Sequence, residues 1–493
     1  MQSIAKRAGK AFIWKGVQLG TSQTVNLVRT LILARLLVPE DFGLMSIALV
    51  TVNTMLNITD FGMISALVQR KHSEEGHYHA AWTLGASRGL FITLTIFIGA
   101  PLIADLFSEP RAIPILRALA FRPLIDGIAS IKIADLTRQL RFRSLTFINT
   151  TAVLVETVVS ISLAGILGVW TLVVGALTGA FTGVLISYIF APYFPRLSFD
   201  FKRARPLIQY GRWIFLTGVV AVAGSSLLQI AISRQLGTIS LGVYYLALRL
   251  AFLPHEISSK IVGEVSFPVY AQIQTNLQKS SNAFKAIYTG MMAILVPLYT
   301  LLITLAPTLV DDVLGSRWVG TAPVIRILAL AGLFGLFGDA VIPLLKGAGQ
   351  PYKVAALEAV QSILIIALVQ WLATNYGLIG AAFAWLPAIA SSQILAGIFL
   401  ARILDRPFAS LTRPMLSIII ASGLGALVGL TVDEFISGLF GFILSASLGF
   451  VTLAFVLWML DRLLKLRMAQ IFYTAFPQIA KVRQYLTTGQ PRV

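Results

Sequence analysis

Apolar stretches of about 20 residues recur along nearly the whole chain, and each is long enough to cross roughly 30 Å of hydrocarbon as an α-helix. The alternating ten-residue segments typical of an outer-membrane β-barrel do not occur. The pattern therefore predicts an all-α, polytopic membrane protein. We expect fourteen transmembrane helices, near residues 11–37, 42–67, 80–107, 112–135, 146–167, 169–191, 206–236, 241–270, 284–310, 321–345, 352–375, 377–401, 413–431 and 437–460.

Composition supports a membrane protein. Hydrophobic residues make up 57% of the 493 residues and charged residues only 12%, against roughly 25% charged residues in soluble domains. The net charge of +18 would suit a nucleic-acid partner, but the basic residues lie in short loops between apolar segments and do not form one exposed surface. Because the chain has no cysteine, it has no disulfides, thiolate metal sites or cysteine catalysis.

The distribution of lysine and arginine predicts the orientation of the helices. With the N-terminus inside, the inner segments hold 25 of the 39 basic residues, whereas the outer loops hold only Arg35, Arg111, Arg234 and Arg317. Because basic residues concentrate on the cytoplasmic side of membrane proteins, both termini are expected to be cytoplasmic. The N-terminal segment lacks a clean apolar core and a cleavage site, so we expect a retained helix and not a signal peptide.

An internal repeat divides the chain. The pairs Arg35/Arg234, Leu37/Leu236 and Gly43/Gly242 share an offset of 199 residues, and the pairs Pro114/Pro323, Arg117/Arg326 and Gly168/Gly377 share an offset of 209. Six helices thus recur as the next six, and because six is even the two copies run in the same direction, as a parallel repeat. The predicted organisation is an N-lobe at 1–205, a C-lobe at 206–410, two further helices at 411–460 and a basic cytoplasmic tail at 461–493.

Three arginines, Arg29, Arg88 and Arg249, fall well inside predicted helices. A charge at a helix centre costs about 2.5–3.5 kcal/mol on insertion scales, so each is expected to face a wet interior or a partner. In the first helix, Gln18, Ser22, Asn26 and Arg29 follow one another at the spacing of a single helical stripe, which predicts a cavity-lining face. Anion binding and internal ion pairing both remain open for these arginines.

Acidic residues are scarcer inside the predicted helices. Glu156, Asp339 and Glu358 are candidates for binding a coupling ion, although pairing with nearby cations is the simpler interpretation of each. Arg122 with Asp126, and Glu256 with Lys260, have the spacing of ion pairs within one helix. The histidine-rich run KHSEEGHYH, residues 71–79, is interpreted as a solvated loop and not as a metal site.

The stretch LARLLVPEDFGL, residues 33–44, predicts a tight hairpin between the first two helices. Pro39 disfavours helix at Val38, and the acidic pair Glu40 and Asp41 can cap the helix that follows. Arg35 and its repeat partner Arg234 stand at equivalent outer turns and are candidates for paired gate residues.

Several segments carry a family resemblance: LARLLVPEDFGLMSIALV, DFGMISALVQRK, RQLRFRSL, LGVYYLALRLAFLP, FPVYAQIQ and GSRWVGTAPVIRILALAG. In order and spacing, from about residue 3 to residue 410, the chain resembles the Wzx-type polysaccharide exporters. These are oligosaccharide flippases in the superfamily that also contains MATE drug exporters and lipid II flippases. The match is specific for the family and says little about the individual glycan.

The resemblance implies a bacterial inner-membrane transporter, without cofactor or enzymatic step, that moves undecaprenyl-diphosphate-linked repeat units outward by alternating access for surface polysaccharide synthesis. It implies partners of three kinds: the lipid-linked oligosaccharide, membrane lipids, and the polysaccharide polymerase with its export machinery. By helix position it assigns Arg29, Arg88 and Arg249 to the diphosphate, with Gln18 and Asn26 lining the cavity; the second helix lacks the mid-span basic residue of related flippases.

Two other functions compete with this one. A MATE-like efflux pump for small cations shares the two-lobe plan, but an interior with more arginine than acid argues against cationic cargo. A membrane glycan polymerase or ligase is expected to carry its catalytic groups on substantial periplasmic loops, whereas the predicted outer loops are only a few residues long.

Overall fold

The computed structural model describes residues 2–59, 67, 74–139, 141–198, 201–273, 276–404, 411–436 and 438–464. Within these ranges all regular secondary structure is helical, as predicted. Its helices are α1 Gln2–Leu36, α2 Pro39–Ile58, α3 Glu75–Leu106, α4 Ala112–Leu119, α5 Phe121–Gly127, α6 Ile133–Arg138, α7 Phe142–Leu167, α8 Trp170–Phe190, α9 Phe201–Ile273, α10 Leu277–Thr304, α11 Thr321–Gly347, α12 Pro351–Phe383, α13 Trp385–Ala401, α14 Thr412–Phe435 and α15 Gly438–Leu463. Short helical turns between Ala306 and Trp318 join α10 to α11.

The helices form two compact units, residues 1–245 and 246–493. Ten helical stretches in the described part are long and apolar enough to cross a membrane, among them α2, α3, α7 and α8 of the first unit. On α14 and α15, side chains such as Leu416, Leu427 and Phe440 are exposed, as expected of helices that meet lipid. The prediction of a polytopic helical membrane protein is confirmed.

Several helix boundaries differ from those predicted. The single helix expected at 112–135 is three short helices, α4 to α6, with Pro123 in the first turn of α5. Because proline lacks an N–H and clashes with the preceding turn of a helix interior, it is tolerated near a helix start and breaks a longer helix there. Conversely, the helices expected at 206–236 and 241–270 run together as α9, separated only by the non-helical backbone of Gly237.

The internal repeat is visible in the backbone. Gly168 lies between α7 and α8 with φ 52° and ψ −131°, and Gly377 interrupts α12 with φ 60° and ψ −143°. These two glycines share the 209-residue offset found in the sequence, and a positive φ of this kind favours glycine because it has no Cβ. Equivalent positions of the repeat thus make the same turn.

Glycines bring neighbouring helices close together in both units. A Cβ on Gly175 of α8 would overlap the Ser160 side chain of α7. A Cβ on Gly425 of α14 would approach the Gly449 carbonyl oxygen of α15 to 2.6 Å. These helix pairs therefore pack backbone against backbone, as small residues allow in membranes.

The hairpin between α1 and α2 forms at the predicted position. Val38 is extended, Pro39 opens α2, and the Val38 amide donates a hydrogen bond to Asp41 Oδ2 at 3.2 Å. The aspartate therefore satisfies an amide at the start of the helix, which is the capping role expected of it.

Candidate functional site

An ion pair joins two residues that the sequence assigned to separate roles. Arg29 Nη1 of α1 lies 2.5 Å from Glu156 Oε1 of α7, and the two side chains are only 15% and 19% exposed. Glu156 fits against α8 because Gly179 has no side chain; a Cβ there would lie 2.7 Å from the Glu156 Cβ. The interior charge of Arg29 is therefore compensated within the first unit.

The polar stripe of α1 continues from this ion pair. Gln18, Ser22 and Asn26 are half-buried, and in the described part of the chain Ser22 Oγ is buried without a hydrogen-bond partner. Near the start of the stripe, Thr146 Oγ1 of α7 donates to the Trp14 carbonyl oxygen at 3.2 Å. The helix α1 thus packs on α7 and carries a row of polar groups from Gln18 to Arg29.

Arg88 of α3 holds the end of α2. Its Nε donates to Thr59 Oγ1 at 2.9 Å and its Nη2 donates to the Leu56 carbonyl oxygen at 2.5 Å. The last carbonyls of a helix have no partner within the helix and carry partial negative charge, so an arginine there satisfies both demands. This geometry gives Arg88 a structural function in addition to any contact with substrate.

Arg249 has a different environment. It lies on α9 beyond Gly237, is half-buried, and forms no hydrogen bond or ion pair with any residue that the structure describes. Further along the same helix, Lys260 pairs with Glu256 at 2.6 Å, as the four-residue spacing predicted. Arg249 is therefore a cation on a membrane helix whose charge no described side chain compensates.

The two turns related by the repeat meet each other within the first unit. A Cβ on Gly43 of α2 would overlap the carbonyl oxygen of Thr238, and a Cβ on Gly242 of α9 would overlap the carbonyl oxygen of Pro39. Gly43 and Gly242 are 199 residues apart, as are Pro39 and Thr238. Equivalent residues of the two repeats therefore make the same contact in both directions. Glycine is required at both positions because two backbones approach each other closely.

A cluster of charged and polar side chains surrounds this contact. Arg111, between α3 and α4, lies 2.7 Å from Glu109 and 2.6 Å from Glu40, and Thr238 Oγ1 donates to Glu109 Oε2. The hydrogen bond from Arg111 lowers the pKa of Glu109 and raises the pKa of Arg111. Because the pKa of Glu109 is lowered, its stabilising contribution is present above about pH 4.5 and is lost as the pH falls through the lowered pKa.

The two arginines predicted as gate residues stand at the same turns. Arg35 and Arg234 are both exposed. Sequence reasoning missed the function of Arg111, because it counted this residue only as an outer-loop charge. The adjacent sequence Glu-Pro-Arg, residues 109–111, was the available signal.

Alanine at Gly43 or Gly242 is expected to destabilise this contact. Overpacking of a well-packed site costs about 1–3 kcal/mol, so each variant should unfold at a lower temperature than the parent when heated in detergent. Gly165→Ala is the matched control, since a Cβ at Gly165 has no neighbour within 4 Å. If Gly43→Ala melted together with Gly165→Ala, the close approach of the two turns would be wrong.

In the second unit the predicted acids Asp339 and Glu358 lie near a histidine. His255 Nδ1 of α9 is 3.0 Å from Asp339 Oδ2 of α11, and the Asp339 side chain is 4% exposed. Glu358 of α12 is half-buried and interacts electrostatically with Lys346 and with His255. The sequence did not single out His255, because an isolated histidine in an apolar segment shows no pattern.

The histidine-rich run is not the solvated loop expected, because from Glu75 onward it forms the start of α3. His79 Nδ1 lies 2.7 Å from the Tyr193 hydroxyl, and Glu75 pairs with Lys132 at 2.8 Å. Burial and the charge of Glu75 raise the pKa of Tyr193 to about 12, so its hydroxyl keeps its proton at physiological pH. His72 lies outside the described residues, as does the tail from residue 465.

A comparison with known protein families finds a family whose sequence model matches more than half of the chain. The model described as polysaccharide biosynthesis protein matches residues 32–323. The lipopolysaccharide biosynthesis protein WzxC of Escherichia coli K12 is 24% identical over 327 residues, which are 65% of this chain and 66% of that protein. The succinoglycan biosynthesis transport protein ExoT of Rhizobium meliloti is 27% identical over 320 residues, 65% of each chain. The match thus spans just under two thirds of the length of these relatives.

Solved structures share the fold. The lipid II flippase MurJ in an inward closed conformation aligns with a TM-score of 0.73 at 15% identity, over 91% of this chain and 99% of that chain. A multidrug resistance transporter of the MATE family in an inward-facing conformation aligns with a TM-score of 0.59 at 16% identity, over 77% and 95% of the two chains. At these identities the likeness concerns the fold alone, which is that of a polytopic helical transporter.

Proposed function

We propose, from the premise that the chain belongs to the polysaccharide biosynthesis protein family, that it translocates a lipid-linked oligosaccharide across the bacterial inner membrane. The cargo is an undecaprenyl-diphosphate-linked repeat unit for a surface polysaccharide such as O-antigen, capsule or exopolysaccharide. The relatives WzxC and ExoT are named for lipopolysaccharide biosynthesis and for transport in succinoglycan biosynthesis, which supports a cargo of this class. Moving such a lipid from one leaflet to the other makes and breaks no covalent bond, so the protein needs no catalytic residues.

The main support for this proposal is the uncompensated charge of Arg249. An arginine on a membrane helix, half-buried and without a compensating group in the described part of the chain, suits an anionic ligand. A diphosphate head group cannot cross hydrocarbon alone, because moving its charge out of water costs too much free energy. The planar guanidinium of arginine donates paired hydrogen bonds to phosphate oxygens, which makes it a better match than a lysine ammonium.

The first unit has proposed substrate contacts of its own. Arg29, with Gln18 and Asn26 on the same stripe of α1, lines the hydrated path, and Glu156 keeps Arg29 in place when no ligand is bound. Arg88 fixes the end of α2 and adds its positive charge to the path. Arg35 and Arg234 act at the outer turns as gate residues. Normal export by a variant lacking both gate arginines would show that they are interface anchors and not gate residues.

Alternating access requires a contact that closes one side of the path and opens again. The meeting of Gly43 with Thr238 and of Pro39 with Gly242 is a contact of this kind, because it joins the two repeat-related turns without interlocking side chains. Glu109 and Arg111 brace it through Thr238 and Glu40. We assign this contact to the periplasmic gate.

The proposed orientation places both termini in the cytoplasm, following the excess of basic residues on that side. The chain has no cysteine of its own, so single cysteines can report sidedness. Val319 and Leu277 are exposed at opposite ends of the second-unit helices. A membrane-impermeant maleimide applied from the periplasm should label Val319→Cys and spare Leu277→Cys; the reverse pattern would overturn the orientation.

The protein is expected to act together with a polysaccharide polymerase, which consumes the repeat unit on the periplasmic face. A MATE-like efflux pump is the competing function, since a MATE transporter shares the fold. The two differ in cargo charge: the uncompensated Arg249 favours an anion over a cation. Deleting the gene should abolish surface polysaccharide and cause lipid-linked oligosaccharide to accumulate in the inner membrane. Unchanged polysaccharide with increased drug sensitivity would favour the pump.

A further inference from the structure

A histidine and an aspartate form a polar centre inside the second unit. His255 Nδ1 and Asp339 Oδ2 lie 3.0 Å apart, and the aspartate side chain is 4% exposed. His255 comes from α9 and Asp339 from α11, so the state of this pair acts directly on the packing of two membrane helices. The diphosphate-binding function proposed above makes no use of this pair.

Three glycines of α11 make room for the centre. A Cβ on Gly332 would lie 2.5 Å from the Tyr299 hydroxyl, and a Cβ on Gly338 would lie 3.0 Å from Gln393 Oε1. Gly335 lies between them along α11 and leaves room for the His255 ring, which would be 3.7 Å from a Cβ at Gly335. The side of α11 that carries Asp339 therefore admits polar side chains from α9, α10 and α13 where an apolar residue would exclude them.

The polar atoms of the centre are not fully satisfied. The Asp339 carboxylate is hydrogen-bonded to His255 and to Ser258, and the Tyr299 hydroxyl interacts with the His255 backbone, whereas Gln393 Oε1 is buried without a hydrogen-bond partner in the described part of the chain. A buried polar atom without a partner costs about 1–3 kcal/mol, and such atoms in a native fold call for an explanation. An atom of this kind beside a buried ion pair fits a site whose hydrogen bonding changes between states.

The charges that face the pair are few. From α12, Glu358 acts on His255, and Lys346 at the end of α11 acts on Glu358. From α9 itself, Glu256 acts on His255 and is also paired with Lys260. From α10, the neutral Tyr299 faces Asp339. Among the described residues no group of three potential metal ligands occurs.

We propose that the His255–Asp339 pair is a proton-binding site that couples the proton gradient to transport. With the proton bound, an imidazolium faces a carboxylate and the net charge of the pair is zero. When the proton leaves, a neutral imidazole faces the carboxylate and the net charge is −1. This inference rests on the proposed transport function, and it adds the driving ion that the sequence left open.

The charge change biases the helix arrangement. An ion pair in a low-dielectric interior holds its two helices together, whereas an uncompensated carboxylate there is costly and favours an arrangement that admits water. Histidine is suited to this function because its unperturbed pKa is about 6.5, so its protonation state changes within the physiological pH range. Protonation from one side and release to the other would then drive the exchange of states.

The first test uses purified protein in vesicles that contain undecaprenyl-diphosphate-linked oligosaccharide. For one coupled proton, each imposed pH unit should change the transmembrane distribution of the lipid by up to about tenfold. Asp339→Asn should still move the lipid but lose this response. Glu256→Gln, which removes a neighbouring half-exposed acid, should keep it. A response of equal size in Asp339→Asn would overturn the proposal, as would wild-type transport that ignores the gradient.

The second test does not depend on transport. The His255 ring packs edge-on to Phe252 at 5.9 Å, and Phe252 contacts the Trp385 ring at 5.2 Å. Protonation of His255 should therefore change the emission of Trp385 as the pH is varied. The chain has eight tryptophans, so the Trp385 signal is the part of the pH-dependent change that Trp385→Phe removes. This part should be absent in His255→Gln. A Trp385 signal that still changes with pH in His255→Gln would overturn the proton site, even in a protein that folds normally.

The two tests separate the two proposals. If the wild-type protein moved no lipid-linked oligosaccharide under any gradient, the proposed function would fail, while the Trp385 titration could still reveal the proton site. If the lipid moved without regard to the gradient and emission did not titrate, the proton site would fail while the transport function stood. Thermal melting of Asp339→Asn and His255→Gln shows whether each variant is folded before either result is interpreted.

Discussion

Replacement of Arg249 by alanine is expected to reduce export of the lipid-linked oligosaccharide by at least about 30-fold, because removing one partner of a buried charged contact costs about 2–5 kcal/mol. The substitution should leave insertion and stability nearly unchanged, since Arg249 pairs with no residue in the described part of the chain. The measurement is surface polysaccharide in cells that lack the wild-type gene, normalised to the amount of each variant in the membrane.

Lys260→Ala provides the matched control. It removes a cation from the same helix, but one that is half-exposed and already paired with Glu256. Export should therefore stay close to that of the parent. Normal export by Arg249→Ala would contradict the assignment of this arginine to the head group. Equal losses of export in both variants would indicate a general requirement for positive charge on α9.

The ion pair between Arg29 and Glu156 is expected to give the largest effect on stability. Removing one partner of a buried pair leaves an uncompensated charge and destabilises by about 3–5 kcal/mol. Arg29→Met and Glu156→Gln should therefore each lower the thermal stability of the purified protein markedly. The double variant should recover a large part of the loss, because no charge is then left without a partner.

Arg122 and Asp126 offer a matched comparison. They form a pair at 3.8 Å within the first unit, with side chains 33% and 47% exposed. Exposed pairs contribute about 0–1 kcal/mol, so single substitutions there should have little effect. Strictly additive losses at Arg29 and Glu156 would contradict the interaction between them.

Arg29→Lys separates the two functions proposed for that residue. Lysine keeps the positive charge, so the pair with Glu156 and the stability of the protein should largely survive. It lacks the planar fork that donates two parallel hydrogen bonds to phosphate oxygens, so transport should fall. A fully active Arg29→Lys protein would mean that only the charge at this position matters.

The features that the sequence predicted well depend on local patterns. Runs of apolar residues located the membrane helices, the Pro39 to Asp41 stretch located the first hairpin, and matched glycines located the equivalent turns at Gly168 and Gly377. Each depends on residues close in sequence or on a repeated spacing. For this reason a single sequence was enough to derive the fold class.

The partners of the interior charges could not be predicted in the same way. Arg29 meets Glu156 across two helices far apart in the chain, and Arg88 binds backbone that carries no sequence signal of its own. His255 acquires its significance only because the glycines of α11 leave Asp339 beside it. Three-dimensional packing decides which interior charges are compensated, and so which of them remain for a ligand.

The most direct test of the transport function is the transbilayer movement of a defined lipid-linked oligosaccharide in reconstituted vesicles. An impermeant reagent that modifies the sugar reports how much of the lipid reaches the outer leaflet. Vesicles with the wild-type protein should expose the inner pool much faster than protein-free vesicles, and vesicles with Arg249→Ala should behave like protein-free ones. Equal rates with and without the wild-type protein would contradict the transport function.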